Sequence, residues 1–80
     1  MKYFVVRTYL DMDGKQNNSI QLYGEEKSAK KRFYSIIASD IDKESIQYEL
    51  CMIVTGDGVT LETFQIENPV HDQNGEEPAV

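Results

Sequence analysis

The chain opens on an alternating stretch. From Lys2 to Leu10, Phe4, Val6 and Leu10 fall on one side and Tyr3, Val5, Arg7 and Tyr9 on the other, and the stretch is rich in β-branched and aromatic residues, which predicts a first strand. Asp13-Gly14 supplies hairpin-turn chemistry, because glycine accepts the positive φ such a turn needs. Ser19 to Tyr23 then alternates Ile20 and Leu22 against Gln21 and Tyr23, a short second strand polar enough for an edge. Beyond Gly24, Ala29, Phe33, Ile36 and Ile37 recur at helical spacing, and Glu25 and Glu26 suit the positive end of a helix dipole, predicting a helix from about Glu25 to Ser39. Gln47 to Thr55 alternates again, with Tyr48, Leu50, Met52 and Val54 opposed to Glu49, Cys51, Ile53 and Thr55. After the Gly56-Asp57-Gly58 turn, Val59 to Glu67 reads as a fourth strand whose apolar phase slips from Val59 and Leu61 to Phe64 and Ile66, and a bulge near Glu62 and Thr63 reconciles the two.

The order strand, strand, helix, strand, strand is an α+β arrangement, ββαββ. A helix of about 15 residues is about 22 Å long and carries the chain back along strands of seven or eight residues. Strand three then runs antiparallel to strand one, and placing them side by side gives a four-stranded antiparallel sheet of order 2-1-3-4 with the most apolar strands central. The helix is expected on the face bearing Phe4, Val6, Leu10, Ile20, Leu22, Leu50, Met52 and Val54, with Ala29, Phe33 and Ile37 completing the core. Period two then sends Tyr3, Val5, Arg7, Tyr9, Tyr23, Cys51 and Ile53 to an open face. From Pro69 onward, prolines, Gly75 and acids replace apolar periodicity, so residues 1–68 are read as a single domain and 69–80 as a disordered acidic tail.

At 80 residues, 40% hydrophobic and 28% charged, the chain has room for one small core, which leaves stability to spare only if another surface is also covered. The charge of −6 is unevenly spread: residues 1–34 hold seven Lys/Arg and four Asp/Glu, whereas 35–80 hold one lysine and ten acids. The net charge argues against nucleic acid, which is held through Lys/Arg and counterion release, while the uneven spread suits head-to-tail contacts or an acidic face offered to a basic partner. Neither an export segment nor a membrane span is legible, and a lone cysteine, Cys51, inside an apolar run fits a reducing, cytoplasmic setting.

Candidate chemistry is thin. Asp11-Met12-Asp13-Gly14 has the acidic start of a calcium loop, but the twelfth position, where a bidentate acid is needed, is Leu22. His71 stands alone in the tail, Asp40, Asp42 and Glu44 read as a solvated connection, and no nucleophile–base set, phosphate-binding glycine loop or metal set can be assembled. No enzyme, no catalytic residue, no metal and no cofactor are expected.

The segments Tyr3-Phe4-Val5-Val6-Arg7-Thr8-Tyr9, Asp13-Gly14, Phe33-Tyr34-Ser35-Ile36-Ile37-Ala38-Ser39-Asp40 and Tyr48-Glu49-Leu50-Cys51-Met52-Ile53-Val54 together resemble small uncharacterised proteins encoded by phages and mobile elements of Gram-positive bacteria. The resemblance spans roughly the first 67 residues and brings no active residue with it; it implies a bacterial, cytoplasmic accessory protein. The reading that follows is a non-enzymatic interaction module that binds a protein partner, or a second copy of itself as a homodimer, through the open sheet face, with Tyr3, Val5, Arg7, Tyr9, Tyr23 and Ile53 at its centre. Two alternatives stand beside it: RNA or single-strand binding by base stacking on the sheet tyrosines, and an acidic inhibitor that occupies the basic groove of a host nucleic-acid-handling system.

Overall fold

A computed structural model describes residues 1–68, and the expected tail, 69–80, lies outside the described residues. The elements are β1 (Tyr3–Asp11), β2 (Gln16–Tyr23), α1 (Glu26–Asp40), β3 (Ile46–Thr55) and β4 (Thr60–Glu67). They form the expected α+β fold: one four-stranded sheet in the order β2-β1-β3-β4, every neighbouring pair antiparallel, with α1 against one face. Among the described residues no helix is long and apolar enough to cross a membrane.

Both hairpins turn on a glycine with positive φ, Gly14 at 86° and Gly58 at 89°. In the first, the Asp11 side chain also accepts the backbone N–H groups of Asp13 and Lys15, each at 2.9 Å, so the turn is tied down by the residue that ends β1. In the second, a Cβ on Gly58 would meet nothing within 4 Å, so Gly58→Ala adds backbone strain without a clash. It should lower stability by about 1 kcal/mol in urea denaturation. The slip of apolar phase in β4 is absorbed at Leu61: Ile53 pairs with Glu62 but Val54 with Thr60, one or two residues before the place the alternation indicates.

The main correction concerns which face the helix covers. The core consists of Val5, Ala29, Phe33, Ile36, Cys51 and Ile53, with Tyr3, Tyr23, Ile37 and Phe64 packed against it. Ala29 and Phe33 are core as expected, but the sheet contributes the other row. Phe4, Val6, Leu10, Leu50, Met52 and Val54 are only half-buried, while Ile20 and Leu22 are 65% and 56% exposed.

Chain chirality supplies the reason. The N–H of Asp11 bonds to Lys15 O across the hairpin, so the odd-numbered residues of β1 direct their backbone groups toward β2. For an L-chain this places the odd-numbered side chains on a definite face. The β2-α1-β3 connection joins two parallel strands around β1, and such connections are right-handed, which sends the helix to that same face. Hydrophobic pattern does not override this, because in β1 both rows carry large apolar side chains, Tyr3, Val5 and Tyr9 on one and Phe4, Val6 and Leu10 on the other.

Candidate functional site

Three buried stripes converge under the helix. Along α1 the inward positions are Ala29, Phe33, Ile36 and Asp40, spaced four, three and four apart as a helix face requires. Along β1 they run Tyr3, Val5, Arg7, and along β3 Thr55, Ile53, Cys51, Glu49, with Val5 opposite Ile53 and Arg7 opposite Cys51. One end of the core is therefore apolar. At the other end the same periodicities deliver Arg7, Asp40 and Glu49 to a shared, largely dry place.

Arg7 donates from Nε and Nη2 to Asp40 Oδ2, at 3.1 and 2.7 Å, and its Nε lies 3.5 Å from Glu49 Oε2. Lys43 Nζ holds the other Asp40 oxygen at 3.2 Å, and the Arg7 guanidinium stacks 4.3 Å over the Tyr9 ring. Asp40 is 1% exposed and Glu49 0%, yet neither Glu49 oxygen has a hydrogen-bond partner. Burial, and then the neighbouring Asp40 carboxylate, push the Glu49 carboxyl up to about 7, with Arg7 opposing the rise. Burial would raise Asp40 as well, but the adjacent Glu49 carboxyl, when it carries the proton, and the contacts with Lys43 and Arg7 outweigh it and hold Asp40 below the ordinary value. The opposite shifts fit one arrangement: Asp40 carries the negative charge, and Glu49 is the carboxyl that takes up the proton and can then donate to its Asp40 neighbour.

Each residue assigned to the sheet face is therefore relocated. Val5 and Ile53 are 1% and 0% exposed beneath the helix, and Tyr3 and Tyr23 pack against the core. Arg7 belongs to the ion cluster, with Tyr9 under its guanidinium. None of the six lies on the open face. The base-stacking reading loses its premise with them, since Tyr3, Tyr9 and Tyr23 are on the helix side. Cys51 is buried as expected, and burial followed by the charge of Glu49 pushes its thiol up to about 11, far from the thiolate a reactive cysteine needs. The buried ion cluster escaped the sequence reading, although Asp40 at the end of the Ala29-Phe33-Ile36 spacing was the available signal.

The face away from the helix carries Phe4, Val6 and Leu10 on β1, Ile20 and Leu22 on β2, and Tyr48, Leu50, Met52 and Val54 on β3, aligned by the registers Val6↔Ile20, Val6↔Met52 and Leu10↔Tyr48. Its polar members are uncharged where the strands pair centrally: Thr8 and Asn18, joined through their side chains, with Gln16, Thr63 and Gln65. Comparison with known proteins finds no matching family model, no matching curated protein and no matching solved structure.

Proposed function

We propose that the protein is a non-enzymatic interaction module that closes its open sheet face against a second copy of itself. The observation that carries this reading is the row Phe4, Val6, Leu10, Ile20, Leu22, Leu50, Met52 and Val54, apolar on three adjacent strands and covered by nothing among the described residues, with Ile20 and Leu22 more than half exposed. An antiparallel sheet packed on one side ordinarily turns polar residues to water on the other, so a face of this composition is one that another surface covers.

Size and charge favour a second copy as the occupant. Four strands about 4.8 Å apart and about eight residues long present roughly 500 Å² in projection, which in a two-fold pair reaches the roughly 1,000 Å² that separates specific interfaces from incidental ones. Two such faces stack about 10 Å apart with interdigitated side chains, as in a β-sandwich. Although the chain carries a charge of −6, the centre of this face holds no charged side chain among the described residues, so two copies meet there without like-charge repulsion. A two-fold pair also needs no partner beyond the chain itself.

Ile20→Glu combined with Leu22→Glu should give a folded monomer, since both side chains point to solvent on an edge strand. Sedimentation equilibrium at about 100 μM reads the mass, and circular dichroism the fold. A wild-type protein that is monomeric under these conditions, or a double variant that remains dimeric, would overturn the reading.

A further inference from the structure

On the helix side, remote from the open face and independent of it, the protein has a second feature that the interaction reading does not use. A cavity of about 230 Å³ lies between α1 and β1, lined by Arg7, Arg32, Ser35, Ser39, Asp40 and Lys43. Helical spacing sets Arg32, Ser35 and Ser39 in a row along one face of α1, three and four residues apart. Arg7 faces that row from β1, and Lys43 stands just past the end of α1. Among the described residues, three cations thus line the cavity with a single carboxylate, and that carboxylate, Asp40, is 1% exposed with both oxygens already held by Arg7 and Lys43.

Donors remain available. Among the described residues, Arg7 uses Nε and Nη2 on Asp40, which leaves Nη1, and Arg32 uses Nε on Gln21 Oε1 at 2.9 Å, which leaves both Nη groups. Lys43 commits one of its three N–H bonds. With two serine hydroxyls beside them, these are the donors that tetrahedral oxyanions recruit, the guanidinium forks above all. The negative end of the α1 dipole opposes an anion here, but at about half a charge it is outweighed by the cations. In a chain whose net charge is −6, a concave site with excess positive charge is the exception.

We propose that this cavity binds a small tetrahedral oxyanion of the sulfate or phosphate class. The buried carboxyl behind Arg7 gives the site a signature of its own. Glu49 is faced by Arg7 and Tyr9 from β1, by Asp40 from α1 and by Cys51 on its own strand, with Lys43 reaching it through Asp40; across β4 its neighbour is the uncharged Ile66. When Glu49 is ionised it shares the charge of Arg7 with Asp40, and when it is protonated the cluster is one unit more positive. An anion held by Arg7 therefore favours the protonated form, and by linkage a proton on Glu49 favours the anion.

The test is a titration of the full chain with sodium sulfate, whose charge does not change across neutral pH, followed by ¹⁵N–¹H NMR at constant ionic strength with chloride as the counter-series. Saturable shifts are expected at the amides of Arg32, Ser35, Ser39 and Lys43, absent with chloride. Affinity should be several-fold weaker at pH 8 than at pH 6, and at least tenfold weaker in Arg32→Gln. The dependence on pH should vanish in Glu49→Gln. Shifts that fail to saturate, that chloride reproduces, or that Arg32→Gln leaves intact would overturn the proposal. Should Arg32→Gln lose its fold by circular dichroism, Ser35→Asp, which puts a carboxylate in the cavity from an exposed position, must abolish binding in its place. A short single-stranded oligonucleotide that displaces sulfate at far lower concentration would also overturn it, because the site would then belong to a polymer.

Discussion

Val5→Glu combined with Ile53→Glu should abolish folding, leaving a chain with no cooperative denaturation transition and a coil-like circular dichroism spectrum. The two residues face each other across the β1–β3 pair, 1% and 0% exposed, in one cluster with Ala29, Phe33 and Ile36. Burying a carboxylate without a partner costs several kcal/mol even after relaxation, and here two of them would be adjacent with no cation in the apolar end of the core. A domain of this size has about 5 to 15 kcal/mol in total. The same chemistry on the opposite face, at Ile20 and Leu22, should leave the fold intact, and the contrast between the two double variants reports which face the helix covers. A folded Val5→Glu/Ile53→Glu protein would place the helix on the other side.

Glu49→Gln should remove most of the protein's dependence on pH between 5 and 8 and make it more stable than the wild type at pH 8. Glu49 is wholly buried, and its carboxyl is raised from 4.5 to about 7. The folded state therefore holds this proton more tightly than the unfolded state, so the stabilisation is complete below about pH 4.5, drains away as pH rises through about 7, and then levels off. A rise of that size corresponds to about 3 kcal/mol. Asp40 acts in the opposite sense: its carboxyl is held below 3.8, so it contributes above that pH and is lost as pH falls. Glutamine keeps the shape, is neutral throughout and can donate to Asp40 as the protonated acid does. Urea denaturation at pH 5 and pH 8 should show the two proteins nearly equal at the lower pH and the variant ahead by up to about 3 kcal/mol at the higher. Parallel pH curves for wild type and variant would mean that Glu49 is ionised throughout.

Local signals sufficed for the elements because each is set by neighbours in sequence. Alternation in β1 and β3, Asp13-Gly14 and Gly58 at the turns, and the Ala29-Phe33-Ile36 spacing depend on backbone geometry alone, and element ends fell within one residue of expectation except at the polar start of β2. There, Gln16, Asn17 and Asn18 carry no apolar alternation, and only pairing with Leu10, Tyr9 and Thr8 makes them strand. The candidate charged site was not legible in the same way. Arg7, Asp40 and Glu49 come from three elements; helical spacing marks Asp40 as inward-facing, but nothing local to it shows which strand residues it meets.

The order 2-1-3-4 also followed from the chain, since a helix long enough to span the sheet forces β3 parallel to β2, and the apolar strands take the centre. What the chain could not decide from pattern was the covered face. On β1 both rows carry large apolar bodies, Tyr3, Val5 and Tyr9 against Phe4, Val6 and Leu10, and on β2 and β3 the pattern favours the row that no described residue covers. That choice belongs to tertiary structure: the hairpin register orients the backbone of β1, the right-handed crossover places the helix, and only their combination buries one row and leaves the other open to a partner.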